Sequence, residues 1–217
     1  VPITVAEREK VARSLALEPL MKDILTAEPL SASIYFNTHD SLNIIYPYFD
    51  VIGQYPVRMN IPAYNFYYEA DATHNPERSV RWTDVYLDPA GHGWMSSAIA
   101  PVYQGDSLEG VVGVDVTVST ITQTVLNLDF PWDGYGLLLG KDGTILALPA
   151  AGEADWKLDE ITDHHYAQAI MQDTFKPADF NVYTRQDLQT FPLDVAESDA
   201  GTASLLLENE SKMAAWA

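Results

Sequence analysis

The sequence predicts an α+β fold with mostly antiparallel sheets, and three patterns carry this prediction. An amphipathic N-terminal stretch comes first, and runs rich in β-branched and aromatic residues follow it. Most connections between these runs are short and rich in turn residues, and short connections join antiparallel strands. Helical segments interrupt the strands without a regular βαβ period, which is typical of an α+β chain.

The N-terminal part is expected to be helical and then to turn into a hairpin. Apolar residues recur at helical spacing over residues 3–26, and Pro19 should divide this region because proline removes a backbone donor. The runs 33–37 and 42–46 are β-rich and flank a turn, which predicts a hairpin. A short helix is expected near residues 63–70.

Three strands and a helix are expected next. The strands cover residues 80–88, 93–103 and 108–117, and the turn-rich stretches between them predict a meander. Apolar residues over 118–128 then recur at helical spacing and predict a helix.

A second, smaller sheet is predicted in the C-terminal part. Asp142 and Gly143 lie between two apolar runs, which is the strongest short hairpin signal. The elements expected here are strands at 135–140 and 144–148, a helix at 158–171, a polar loop at 176–200, and strands at 203–207 and 212–216. The last strand has no downstream partner in the sequence, so the second sheet is expected to be truncated.

Composition and charge exclude several functions. The chain of 217 residues carries 31 Asp and Glu but only 12 Lys and Arg, a net charge of −19. This charge argues against nucleic acid and against an anionic membrane surface as partners, since both require basic residues. The absence of cysteine excludes disulfides and Cys-ligated metal sites. The chain begins at Val1 and ends at Ala217, and it is expected to be a soluble piece of a longer protein.

The strand at 80–88 is the first candidate functional element. Alternate residues of a strand share a face, so Val80, Trp82, Asp84, Tyr86 and Asp88 are expected to point the same way. Two aromatic rings and two carboxylates do not make a plain hydrophobic core. A solvated face with packed rings is the alternative interpretation.

Asp115 is the second candidate, because it interrupts an apolar strand. A buried carboxylate is costly unless it finds donors, a cation or a ligand. Gly113 lies two residues earlier on the same face and is expected to leave space above the sheet. A ligand-facing Asp115 is therefore favoured, and an Asp that caps a neighbouring loop is the alternative.

Three stretches resemble a known family of sensor domains. They are residues 75–103, the run Leu108–Thr117 with its Gly-Val-Val-Gly-Val-Asp core, and residues 134–149 around Lys141-Asp142-Gly143. Together they resemble the double Cache (PDC, PAS-like) sensor domains, most closely those of transmembrane histidine kinases. Chemoreceptors and diguanylate cyclases carry similar domains and are the alternative parents.

The resemblance implies an extracytoplasmic location and a defined domain order. A long N-terminal helix (1–30) would precede a membrane-distal Cache module that binds the ligand (31–131). A membrane-proximal module, possibly incomplete, would cover 132–217. Transmembrane helices would lie before Val1 and after Ala217, and the N-terminal helix would support a homodimer.

The resemblance also implies a binding site. Tyr86-Leu87-Asp88 matches the family's Tyr-x-Asp element, and Asp115 matches its later Asp. Asn65 and Tyr67 stand where the Arg and Trp of the family's upstream element would be, so a ligand carboxylate would lose its bidentate partner. An amine-bearing ligand is therefore favoured over an ordinary α-amino acid. The predicted ligand-binding residues, of which Trp82 and Ser97 are included by proximity alone, are Asn65, Tyr67, Trp82, Tyr86, Asp88, Ser97 and Asp115.

Two further functions stay open at this point. The domain would be a purely structural or dimerising module if Tyr67, Trp82 and Tyr86 filled the pocket. It would be a hydrolase if two carboxylates shared a cleft, but residues i and i+4 of a strand, such as Asp84 and Asp88, lie roughly 13 Å apart. No known catalytic motif occurs, so no catalytic residue, cofactor or metal site is predicted.

Overall fold

The computed structural model describes residues 3–126, 128, 130, 132, 134–161, 164–188 and 191–217, and it confirms the α+β fold. The helices are α1 (Val5–Ser14), α2 (Glu18–Ala27), α3 (Val51–Gln54), α4 (Asn65–Tyr68), α5 (Val118–Leu126), α6 (Ala150–Trp156), α7 (Tyr166–Ala169) and α8 (Phe191–Glu197). The strands are β1 (Ser33–Thr38), β2 (Asn43–Tyr46), β3 (Arg81–Trp82), β4 (Tyr86–Leu87), β5 (Trp94–Gln104), β6 (Ser107–Thr117), β7 (Leu138–Leu139), β8 (Ile145–Ala147), β9 (Gly201–Leu207) and β10 (Glu210–Trp216).

Contacts divide the chain into two units. Unit 1 contains Val1–Thr117 and His165–Thr174, and unit 2 contains Val118–His164 and Phe175–Ala217. The expected division into 1–30, 31–131 and 132–217 stays a prediction. In the described part of the chain, no helix is both long and apolar enough to span a membrane.

The N-terminal helices of unit 1 confirm the predicted break at Pro19. Thr4 begins α1 with a capping box, in which its hydroxyl accepts from the Glu7 amide and the Glu7 carboxylate accepts from the Thr4 amide. A 3₁₀ turn over Leu15–Leu17 leads into α2. Pro19 lies in the first turn of α2, where a missing amide donor costs nothing.

The sheet of unit 1 has the strand order β2-β1-β6-β5-β3, and β4 pairs with β5. All pairings are antiparallel, which confirms the predicted hairpin and the pairing of β5 with β6. Strands β5 and β6 lie in the interior of this order. One face of the sheet is covered by a buried cluster that contains aromatic rings from the segment preceding β3, among them Tyr64, Phe66 and Tyr67.

The predicted continuous strand at 80–88 is wrong. The segment forms two short strands, β3 and β4, with an interruption between them. The interruption arises because Thr83 binds Ser97 of β5 through both its backbone and its side chain. The Thr83 amide donates to the Ser97 carbonyl and Thr83 Oγ1 accepts from the Ser97 amide, both at 3.0 Å. The burial alternation changes sides between Val85 and Tyr86, which are both buried. Trp82 is consequently 59% exposed while Tyr86 is only 2% exposed.

Unit 2 contains two antiparallel hairpins, β7–β8 and β9–β10. The first was predicted as a hairpin, whereas for the second only the two strands were predicted, and among the described residues β10 pairs with β9 alone. The predicted helix at 118–128 is confirmed as α5, which contacts β8. The predicted helix at 158–171 is wrong except for α7, since the chain forms α6 earlier instead. The Glu160 amide donates to the Glu153 carboxylate at 3.0 Å, which holds this segment outside a helix.

The segment 176–200 is not the predicted loop. It forms three 3₁₀ turns and α8. Apolar side chains from these turns, including Phe180, Val182 and Leu188, enter the core of unit 2. The Lys176 ammonium is buried beside them and donates to Glu160 at 2.7 Å and to the Leu146 carbonyl at 3.1 Å.

Candidate functional site

Three polar residues form a row across the centre of the unit 1 sheet. The strand register places Ser33 of β1 and Ser97 of β5 opposite Asp115 of β6. The Ser97 hydroxyl donates to Asp115 Oδ1 at 2.6 Å, and the Ser33 hydroxyl donates to Asp115 Oδ2. The Tyr86 hydroxyl lies 2.8 Å from Ser97 Oγ and extends the row. Each Asp115 oxygen therefore has a neutral hydroxyl donor.

Asp115 is buried and poorly compensated. Asp115 is only 4% exposed. Burial, and then repulsion by the Asp88 carboxylate, raises the pKa of Asp115 from its ordinary 3.8 to about 7, although both serine hydroxyls oppose this shift. Near neutral pH, the Asp115 side chain is therefore divided between its protonated and its ionised form.

A tight loop after β4 holds Asp88 near the row. Asp88 Oδ1 accepts from the Ala90 amide at 2.9 Å, and Oδ2 lies 2.6 Å from His92 Nδ1. Gly91 and Gly93 have φ values of 95° and 83°, which glycine adopts without strain and which this loop requires. The hydrogen bond to Asp88 raises the pKa of His92 above its ordinary 6.5.

A small cavity lies against this row. Its lining residues come from the sheet, from the Asp88 loop and from the segment 55–66, and they are Tyr35, Asn37, Asn43, Ile45, Tyr55, Met59, Ile61, Phe66, Tyr86, Asp88 and Asp115. The free space is about 20 Å³, enough for roughly one water molecule. The lining contains two carboxylates and no Lys or Arg among the described residues.

The space expected above Gly113 is occupied. Tyr35 lies opposite Gly113 in the β1–β6 register, and a Cβ atom at position 113 would lie 2.0 Å from the Tyr35 ring. Burial and the nearby Asp115 raise the pKa of Tyr35 well above 10, so this ring contributes a neutral hydroxyl. The glycine makes room for a side chain of the protein, and this tyrosine forms part of the cavity wall.

The predicted site residues divide into two groups. Tyr86, Asp88 and Asp115 line the cavity, and Ser97 binds two of them. The other three do not line it, and each has another role. The Asn65 amide group donates to the Asp84 carbonyl, the Tyr67 hydroxyl donates to the Leu108 carbonyl at 3.4 Å, and Trp82 is exposed on β3. Their assignment as ligand-binding residues stays a prediction.

Several site residues were missed by sequence reasoning. Ser33 and Tyr35 join the site through the pairing of β1 with β6, a register that the sequence does not show. Tyr55 was passed over because its segment is irregular. His92 was passed over because it lies in a loop, although its spacing of four residues from Asp88 was a usable signal.

This arrangement is suited to a cation that also offers hydrogen bonds. A ligand ammonium donates to carboxylates and to hydroxyl oxygens, and aromatic faces attract it further. Within the described residues, no group of three or more His, Asp or Glu side chains is arranged to hold a metal ion.

Comparison with known proteins gives one family match. The model for the first PDC sensor domain of methyl-accepting chemotaxis protein-like proteins matches residues 10–123. Among curated proteins, the methyl-accepting chemotaxis protein PctB of Pseudomonas aeruginosa is 29% identical over 159 residues, which are 70% of this chain and 24% of PctB. This chain therefore spans about a quarter of that relative's length.

Solved structures share the fold at low sequence identity. The ligand-binding domain of PctB in complex with L-Arg matches with a TM-score of 0.58 and 20% identity over 94% of this chain and 64% of that chain. The ligand-binding domain of the Pseudomonas fluorescens chemoreceptor CtaA in complex with L-isoleucine matches with a TM-score of 0.53 and 19% identity over 88% and 62%. The family match and the similarity to PctB, by contrast, favour the chemoreceptor alternative, and the expected histidine kinase parent receives no support.

Proposed function

Because this chain belongs to the family of methyl-accepting chemotaxis protein-like first PDC sensor domains, we propose that it is the extracytoplasmic sensor of a membrane chemoreceptor. The proposed ligand is a small molecule with an ammonium group, bound in unit 1 between Asp115 and Asp88. The parent protein would carry the membrane-spanning and signalling parts, and the sensor itself would have no enzymatic role.

The observation that carries this proposal is the buried Asp115 without a cationic partner in its cavity. Asp115 and Asp88 both line the cavity, and no Lys or Arg is among its lining residues. Burial first, and then repulsion between the two carboxylates in this poorly solvated space, raises the pKa of Asp115. A ligand ammonium would replace the proton on Asp115 and relieve this repulsion.

The related structures agree with a ligand of this class. The matching structures are complexes of PctB with L-Gln and with L-Arg, and of CtaA with L-isoleucine. Each of these amino acids carries an α-ammonium group. Each also carries an α-carboxylate, and we extend only the ammonium group to this chain, because no Lys or Arg among the described residues lines the Asp115 cavity.

Ligand entry would require the cavity to widen. The free space of about 20 Å³ holds roughly one water molecule, whereas small-ligand pockets usually exceed about 300 Å³. A ligand that binds the widened arrangement better than the closed one would shift the equilibrium between them, as a sensor requires.

Binding measurements on the purified domain test the proposal. Isothermal titration calorimetry with a panel of amines and amino acids should identify a ligand, and a ligand at 100 times its dissociation constant should stabilise the domain by about 2.7 kcal/mol. Asp115→Asn should weaken binding at least about tenfold, because it removes the buried charge that pairs with the ammonium. Asp23→Asn is the matched control, since it removes the same charge from an exposed position on α2.

The same measurements also test an alternative function, that of a purely structural module. The free space is only about 20 Å³, as a purely structural module would show, and of the three rings expected to fill the pocket in that case only Tyr86 lines it. If no compound binds, the structural module is favoured. If a compound binds and Asp115→Asn leaves its affinity unchanged, the pocket assignment is wrong.

A further inference from the structure

A short segment from the C-terminal half of the chain belongs to unit 1. This segment, residues 165–174, which we term the strap, groups with unit 1, whereas the chain immediately before and after it belongs to unit 2. Helix α7 forms the first part of the strap. The strap therefore joins unit 1 from a part of the sequence well beyond β6, the last strand of the unit 1 sheet.

The strap is hydrogen-bonded near both of its ends to the chain that carries Asp88. The Leu87 amide, one residue before Asp88, donates to the Thr174 carbonyl at 2.7 Å. The Tyr166 hydroxyl donates to the Gly91 carbonyl at 3.0 Å and accepts from the Gly93 amide at 3.1 Å. The strap thus holds the Asp88 loop (88–93) on both sides of the carboxylate that lines the cavity.

The strap is also anchored to α4 on another wall of the cavity. Asp173 Oδ1 accepts from the Asn65 amide at 3.0 Å, and the next residue, Phe66, lines the cavity. One segment therefore connects the Asp88 loop with the aromatic wall that faces it across the site.

The Tyr166 hydroxyl is suited to hold the loop because a phenol is a donor and an acceptor at once. Its two partners belong to the two peptide groups that adjoin His92, so the hydrogen bonds fix the backbone on both sides of this residue. His92 Nδ1 in turn lies 2.6 Å from Asp88 Oδ2. Because Gly91 and Gly93 restrict the backbone very little, the conformation of the loop depends on such bonds.

We infer that Tyr166 is a positioning residue for ligand binding, which holds the Asp88 loop in the conformation that directs Asp88 into the cavity. This inference rests on the proposed function and adds a residue from a distant part of the chain to the site. Tyr166 does not itself line the cavity, so it acts through the loop.

NMR titration of the histidines in the ligand-free domain gives a readout that a merely structural role would not change. The hydrogen bond to Asp88 raises the pKa of His92 above its ordinary 6.5, and the charges of Asp88 and Asp115 add to this effect against burial. Tyr166→Phe keeps the ring and removes both hydrogen bonds to the loop, so the peptide groups beside His92 can turn. The pKa of His92, whose signal is assigned with His92→Gln, should then fall towards 6.5.

Ligand affinity is the second readout. Putrescine, agmatine and phenethylamine are titrated calorimetrically into the purified wild type and into Tyr166→Phe. Each amine that binds the wild type should bind the variant at least about threefold more weakly, as expected when two hydrogen bonds that hold the site are lost.

A matched control separates the loop contact from the loss of a hydroxyl in general. Tyr183→Phe removes the same group from an exposed tyrosine of unit 2 and should change neither the pKa of His92 nor any affinity. In both variants His39 and His74, which lie outside the loop and the strap, should titrate as in the wild type.

The outcomes that overturn the inference differ from those that overturn the proposed function. If Tyr166→Phe lowers the stability of the domain but leaves the pKa of His92 and the amine affinities unchanged, Tyr166 has only a structural role and the sensor proposal stands. If amines bind and Tyr166→Phe alters the pKa of His92 without weakening them, the loop does not set the affinity and the inference is wrong. If no amine or amino acid binds the wild type, the proposed function fails and this inference fails with it.

Discussion

Asp115 should make the empty domain less stable as the pH rises. Its folded pKa of about 7 lies above its ordinary 3.8, so between these values the folded state holds a proton that the unfolded chain has released. Stability therefore falls as the pH rises from about 4 to about 7. His92 acts in the same direction, because its raised pKa gives a stabilisation that is present below pH 6.5 and is lost as the pH rises through the folded value.

Urea unfolding at pH 5 and pH 8 checks this prediction. The wild type should lose on the order of 2 kcal/mol of unfolding free energy between these pH values. Asp115→Asn keeps the size of the side chain and removes its ionisation, so it should be more stable than the wild type at pH 8 and show a smaller loss. An equal pH dependence in the two proteins would contradict the raised pKa.

The affinity for an amine ligand should rise with pH, whereas the stability of the empty domain falls. An ammonium pairs with the ionised form of Asp115, and below pH 7 this form must first be produced by releasing a proton. The affinity for an amine ligand should therefore rise by up to about tenfold per pH unit between pH 5 and pH 7 and then level off. Calorimetry in buffers of different ionisation enthalpy should also detect the released proton, whereas a flat profile would exclude Asp115 as the ammonium partner.

At the scale of residues, the sequence identified the charged members of the site but not their neutral partners. Asp115 is visible in the sequence because a carboxylate stands alone in an apolar strand. Asp88 is visible because Tyr86-Leu87-Asp88 matches the Tyr-x-Asp element of the family that the chain resembles. Ser33 is invisible, because only the β1–β6 register brings it to Asp115. Turn geometry sets the register of a hairpin, but β1 and β6 are far apart in the sequence and no turn joins them.

At the scale of elements, the close packing of the Tyr35 ring against Gly113 should exclude any larger residue at position 113. A Cβ atom at position 113 would lie 2.0 Å from the Tyr35 ring, so Gly113→Ala must displace the ring from the cavity wall. We expect a loss of about 1–3 kcal/mol in unfolding free energy, the usual cost of overpacking. The double variant Tyr35→Ala with Gly113→Ala should lose less than the sum of the two single variants, because the clash is absent. Additive losses in thermal or urea unfolding would contradict the close packing.

Elements were predicted where local pattern and tertiary packing agree. The hairpin β1–β2 and the pair β5–β6 have short turns and alternating patterns, and both formed as expected. The strand at 80–88 failed because Thr83 makes its own hydrogen bonds to Ser97 and reverses the facing of later residues. The hydrogen bonds between Thr83 and Ser97 are tertiary interactions, so the sequence pattern of the strand alone cannot reveal them.

At the scale of the molecule, the fold was predictable because it needs only the order and type of elements. The family resemblance added the domain type, and the family match agrees with it. The parent protein was predicted less well, since histidine kinases and chemoreceptors carry similar sensors and nothing in the sensor sequence encodes the signalling part. The ligand class depends on a few side chains, and their positions became clear only in the folded chain.

The same scale yields a prediction about self-association. Helices α1 and α2 and the 3₁₀ turn between them leave several large apolar side chains exposed, including Leu15 in the turn (52%) and Leu20 in α2 (58%). Because an exposed apolar surface on a helix favours association, we expect the domain to dimerise through this surface. Sedimentation velocity over a range of concentrations should show a dimer that Leu15→Glu dissociates, since it places a charge in the contact. Ile52→Glu is the matched control, because Ile52 is 93% exposed and lies outside these helices. A monomer at all concentrations, or equal dissociation by both variants, would contradict a dimer formed through this surface.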